Sequence, residues 1–113
     1  IERQIERNGL PALETVREGL AAEGLVAEVA RDEAGLSLTA PVAEGRDFHY
    51  RLIARERPRP AMTALDAPER RRTMEWRLSA RSDDVTRPRD VTGFTRDQLV
   101  TDVLEHLYRW RAG

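Results

Sequence analysis

The chain of 113 residues contains neither cysteine nor lysine. Without cysteine there is no disulfide framework and no thiolate metal site, so the fold must stand on packing alone, which suits the cytosol. The absence of lysine makes arginine the source of all 19 basic side chains, a bias of the kind GC-rich coding produces, and it carries no functional weight. Aromatic residues are only 5% of the chain and the formal net charge is −1, so nucleic acid is not an expected partner. No stretch approaches the roughly 20 consecutive apolar residues of a membrane span, and no charged-then-apolar signal segment opens the chain. The seven glycines are scattered singly, so no phosphate-cradling loop exists and neither a nucleotide nor another cofactor is expected.

What is present has the size of one domain with a single two-layer core. The charge is unevenly spread: residues 1–50 hold 5 arginines against 10 acids, and residues 51–113 hold 14 against 10. Such a split fits two faces that attract each other, or a basic face that meets acidic lipid or a partner chain. Because the chain opens at Ile1 rather than Met, residues 1–9 read as a lead-in from a longer protein, with Asn8-Gly9 as a turn or helix stop, and residues 10–113 as the domain.

Leu10, Leu13, Val16 and Leu20 recur at three- and four-residue spacings behind Pro11, which predicts an amphipathic helix ending at Gly24. Leu25, Ala27, Val29 and then Leu36, Leu38, Ala40, Val42 alternate about Asp32–Gly35 as a β-hairpin. Phe48, Tyr50, Leu52 and Ala54 mark a third strand, which Pro58 and Pro60 stop, and residues 59–71 read as an exposed loop. Met74, Trp76, Leu78 and Ala80 mark a fourth strand, and a short fifth is expected near Arg89–Thr92. Thr95 with Gln98 forms a capping box, opening a helix with Leu99, Val100, Val103, Leu104, Leu107 and Trp110 in its apolar stripe. The expected fold is α+β: an antiparallel sheet of four to five strands with an N-terminal and a C-terminal helix packed on one face. The other face would be open, lined by His49, Arg51 and Ile53 beside Glu75, Arg77 and Arg81.

Signals for catalysis are weak. His49 and His106 are far apart and have no second histidine at metal spacing. Ser37, Ser79 and Ser82 have no nucleophile elbow around them, and Asp32-Glu33 and Asp83-Asp84 read as solvated turn acids. No catalytic or metal site is expected. Trp76 and Trp110 invite an aromatic cage for a quaternary ammonium ligand, but read more simply as core or interface residues. The strongest candidate for an interaction surface is the arginine group Arg55, Arg57, Arg59, Arg70, Arg71 and Arg72, whose simpler reading is a solvated loop.

Four strings carry a resemblance: Leu10–Val16 (LPALETV), Asp47–Tyr50 (DFHY), Glu75–Leu78 (EWRL) and, most specific, Val91–Glu105 (VTGFTRDQLVTDVLE). With the order of elements, they resemble the cytosolic C-terminal domain of long members of the betaine/choline/carnitine transporter family. Thr86–Asp90 and Arg70–Thr73 depart from the family's aromatic pattern, so no aromatic contact is carried over there. Transport sites of that family lie in its membrane helices, and none maps onto this chain. The resemblance implies a regulatory, osmosensing domain of a choline/glycine betaine transporter, at the cytoplasmic face of the membrane. Its expected partners are the transmembrane part of the same transporter, anionic lipid headgroups, and a further copy in a homo-oligomer. The alternative is a stand-alone binding or dimerisation module that associates through the open sheet face.

Overall fold

The computed structural model describes residues 4–43, 45–58 and 74–112. Helix α1 spans Leu10–Ala22 and buries Ala12, Leu13, Val16 and Leu20, the stripe its spacing predicts. Its end has a clear cause. Gly24 takes φ +86, which an L side chain resists, and the Gly24 and Leu25 N–H groups donate back to Ala21 (3.0 Å) and Leu20 (2.9 Å). Those two bonds satisfy carbonyls that a helix C-terminus would otherwise leave bare.

The expected stop at Asn8-Gly9 does not occur. A π-helical turn, Ile5–Gly9, runs straight into α1, and Ile5 and Gly9 are buried. Space explains it: a Cβ at Gly9 would sit 3.3 Å from methyl groups of both Leu36 and Leu52, so glycine here permits close approach of the helix to the sheet. Asn8, instead of turning the chain, donates its side-chain amide to the Phe94 carbonyl at 3.3 Å.

Five strands follow: β1 (Glu28–Arg31), β2 (Gly35–Ala43), β3 (Arg46–Pro58), β4 (Met74–Ser82) and β5 (Arg89–Asp90). They form one sheet in sequence order, each antiparallel to its neighbour. The β1–β2 turn is held by Asp32, whose carboxylate accepts from the Ala34 and Gly35 N–H groups. A Cβ at Gly35 would lie 1.8 Å from the Leu52 carbonyl oxygen, so no other residue fits that strand start without displacing β3. The β2–β3 register shifts between Ala40 and Ala43, around Pro41, which has no N–H to give the ladder. β3 runs to Pro58, longer than its apolar alternation predicts, because β4 continues pairing as far as Pro58↔Met74.

Helix α2 spans Arg96–Ala112. The capping box forms in both directions: the Gln98 side chain accepts from the Thr95 N–H (2.8 Å), and the Thr95 hydroxyl accepts from the Gln98 N–H (3.2 Å). Register places Leu36, Leu38, Ala40, Phe48, Tyr50, Leu52, Leu78 and Ala80 on one sheet face, all fully or almost fully buried. Both helices lie on that face, against each other and against the strands, with Leu99, Val103 and Leu107 of α2 fully buried. Each such leucine contributes about 1.5–3 kcal/mol relative to exposure. Leu104 lies at the margin of the core rather than at its centre.

Trp76 departs from its expected place. It shares the apolar face of β4 but is 47% exposed, since burial ends at Leu78 and Trp76 pairs with Glu56 on the stretch of β3–β4 beyond it. Trp110 is partly buried, with the Arg46 guanidinium 4.2 Å from its ring centroid. One of its faces is therefore already taken by a cation of the chain itself, and an aromatic cage built from these two tryptophans has no support.

Candidate functional site: the open sheet face

Because strand residues alternate, the side chains between the buried ones project from the opposite face. On β3 these are His49, Arg51, Ile53 and Arg55, and on β4 they are Glu75, Arg77, Ser79 and Arg81. Among the described residues no helix covers this side. Register then creates an unusual juxtaposition: Arg51 stands directly opposite Arg81, and Arg55 directly opposite Arg77. Opposed like charges on a sheet are unfavourable, by a fraction of a kcal/mol up to about 1 kcal/mol per pair.

The fold relieves part of this from its edges. Arg51 donates through Nη2 to Asp32 on the β1–β2 turn (2.7 Å), and Arg77 pairs with Asp90 of β5. The Asp32 carboxyl is held below the ordinary carboxylate range mainly by the Gly35 and Ala34 N–H groups, with Arg51 adding to them. The side-chain and backbone hydrogen bonds of Thr92 lower the Asp90 carboxyl in the same way. Arg55 and Arg81 meet no carboxylate among the described residues. With Arg51 they line an open hollow of about 390 Å³, which Ile53 also borders. A second hollow of about 280 Å³ lies toward the other end of the face, where His49, Arg51 and Arg81 meet the turn that carries Asp83 and Arg87.

That turn is anchored from behind by a buried polar cluster. His106 on α2, 4% exposed, places Nδ1 2.5 Å from Asp84 Oδ2 and Nε2 3.4 Å from Asp102 Oδ1. Asp102 also accepts from the Tyr50 hydroxyl (2.7 Å) and from Arg89 (2.9 Å), and Arg89 donates in addition to the Ser82 hydroxyl (3.1 Å). Burial pushes the Asp84 carboxyl up, but hydrogen bonds from Ser82 and His106 outweigh it, and the group ends below its ordinary range. Burial and the Asp102 carboxylate push the Tyr50 phenol far upward, so it stays a donor. While Asp84 is held inward, its neighbour Asp83 reaches outward: its carboxylate accepts from the His49 N–H (2.9 Å) and lies 2.8 Å from His49 Nδ1. The adjacent acids are thus a two-sided clamp between helix and sheet, and the expectation of two solvated turn residues fails for Asp84, whose side chain is 5% exposed.

Of the arginines singled out from sequence, Arg55 sits on the open face, and Arg57 occupies a β3 position opposite Glu75. Arg59, Arg70, Arg71 and Arg72 lie outside the described residues. The structure instead groups Arg55 with Arg51, Arg77 and Arg81, a set that sequence distance hides and register reveals. The buried cluster was also hidden, yet one signal was available. His106 falls three residues after Val103 and four before Trp110, inside the apolar stripe of α2, with Asp102 one turn before it.

Among the described residues no three histidine, cysteine, aspartate or glutamate side chains surround a metal position, and no helix is long and apolar enough to cross a membrane. No protein-family model matches this sequence, and no curated protein matches it either.

Proposed function

We propose that this chain is a regulatory binding domain, acting as the cytosolic tail of a betaine/choline/carnitine-type transporter for choline or glycine betaine and modulating osmoprotectant uptake. The strings at Leu10–Val16, Asp47–Tyr50, Glu75–Leu78 and Val91–Glu105 support the family, and the helix–sheet–helix order agrees with the architecture that family's tail implies. The observation that carries a binding role is the open face, where arginine is set opposite arginine on strands that no other described element covers. An exposed arginine cluster has five N–H donors per side chain, more than the two carboxylates Asp32 and Asp90 take from it, so it can also donate to an outside partner.

A tail of this kind sets activity by docking more tightly on one conformation of the transporter than on another. Arginine–anion contacts at an exposed face weaken as the Debye length shrinks, from about 10 Å at 0.1 M salt to about 3 Å at 1 M. Cytosolic ionic strength, which rises as a cell loses water, then becomes the input. Two copies related by a two-fold axis through this face would oppose arginine to arginine, so the charge favours a partner of opposite sign.

The experiment is to truncate a full-length transporter carrying this domain just before Leu10 and to measure uptake against external osmolality. The expected result is a correctly inserted transporter whose activation curve is shifted or flattened. A curve identical to that of the intact protein rejects the regulatory role.

A further inference from the structure

Resting on the reading of the open face as the docking surface, we infer that this face holds a site for phosphate groups, framed by Arg51, Arg55 and Arg81. Spacing and charge both point to it. Arg51 and Arg81 are cross-strand neighbours, about 5 Å apart at Cβ, and Arg55 lies four residues along β3, about 13 Å away. Long, flexible arginine side chains span that gap from both ends, and all three line the same hollow. Ile53 borders the hollow and its cross-strand partner is the small Ser79, so the polar groups that line it are the three guanidiniums.

Three forks converging on one hollow ask for an acceptor with more than two oxygens and more than one charge. A carboxylate presents two coplanar oxygens and a single charge, and one arginine can neutralise it through a bidentate pair. A terminal phosphate presents three oxygens in a tetrahedral arrangement and carries close to two charges near neutral pH, so several arginines can donate to it at once. The internal acids leave room for such a ligand: Asp32 takes a single Arg51 nitrogen, and Asp90 engages Arg77 at the far side of the sheet.

Phosphate can arrive as a soluble phosphoryl compound or as a lipid headgroup, and two measurements on the 113-residue chain separate these. Isothermal titration with inorganic pyrophosphate, at ionic strength held constant with chloride, tests the soluble source. Co-sedimentation with vesicles containing phosphatidic acid, whose headgroup is a terminal phosphate, against phosphatidylcholine vesicles, tests the headgroup source. Saturable binding is expected in at least one arm, weakened about tenfold per lost arginine in Arg55→Gln and Arg81→Gln. Arg109→Gln, on α2 and paired with Glu105, should leave binding unchanged. Pyrophosphate binding assigns a soluble ligand; vesicle binding alone assigns the headgroup. Absence of binding in both arms, or binding that the Arg55→Gln/Arg81→Gln double variant retains, overturns the site. The regulatory role is judged separately, by uptake after truncation.

Discussion

The two faces of the sheet are built from the same strands, residue by residue in alternation, yet physical chemistry uses them in opposite ways. On the covered face Leu36, Tyr50, Leu52, Leu78 and Ala80 are out of water, and each methylene buried there contributes to stability. On the open face Arg51, Arg55, Arg77 and Arg81 stand in solvent as opposed like charges, which cost stability in the free domain. Between them lies the Ser82–Asp84 turn, with Asp84 drawn into the covered side and Asp83 bound to His49 on the open side. One side therefore holds the fold together and the other contributes little to it, so substitutions should separate the two.

The largest effect is expected where charge and burial coincide. Asp102→Ala leaves Arg89, His106 and the Tyr50 hydroxyl without their shared acceptor, and should lower unfolding free energy by about 3–5 kcal/mol in denaturant titration. Leu107→Ala, at a fully buried position, should cost about 2–5 kcal/mol, and Leu104→Ala, at the core margin, clearly less. Equal costs would mean that the stripe of α2 is rotated from the one described.

The clamp should appear in the pH dependence. Asp84 and Asp90 have folded-state values below their ordinary value of 3.8, so their contribution is present above that value and is lost as pH falls through the lowered one. Thermal midpoints should be steady near pH 6 and fall below about pH 4, with a shallower fall in Asp84→Asn. A smaller loss, about 1 kcal/mol, is expected for Thr95→Ala through the capping box. On the open face the sign reverses. Arg81→Gln should stabilise the free chain by a few tenths of a kcal/mol at low salt, by removing the repulsion with Arg51, and the gain should vanish at 1 M salt.

The fold was legible in the sequence wherever a period was clean. The stripe from Leu13 to Leu20, the alternations through Leu36–Ala40 and Phe48–Leu52, and the Thr95/Gln98 box each name their element without help from tertiary contacts. Gly9 misled because glycine serves equally as a helix stop and as a point of close approach, and only the distance to Leu36 and Leu52 decides between them. Trp76 misled because alternation gives the face of a strand but not how far the helices extend over it. The candidate site was half legible: the polar face of β3 and β4 follows from alternation, but the opposition of Arg51 to Arg81 and of Arg55 to Arg77 needs a register that residues 59–73 do not encode in their length or composition. The His106 cluster joins Tyr50 to Asp84, Arg89 and Asp102 across as many as 56 positions, and no local pattern reports such a contact.

The proposal that one sheet face is structural and the other regulatory is tested most directly by replacing Arg51, Arg55, Arg77 and Arg81 together with glutamine. The replacement is made both in the isolated chain and in a full-length transporter that carries it, and uptake is followed against external osmolality. The account predicts an isolated chain that melts at the same temperature or higher, and a correctly inserted transporter whose activation curve is shifted. An isolated chain that unfolds, or a transporter whose activation curve does not change, would contradict it.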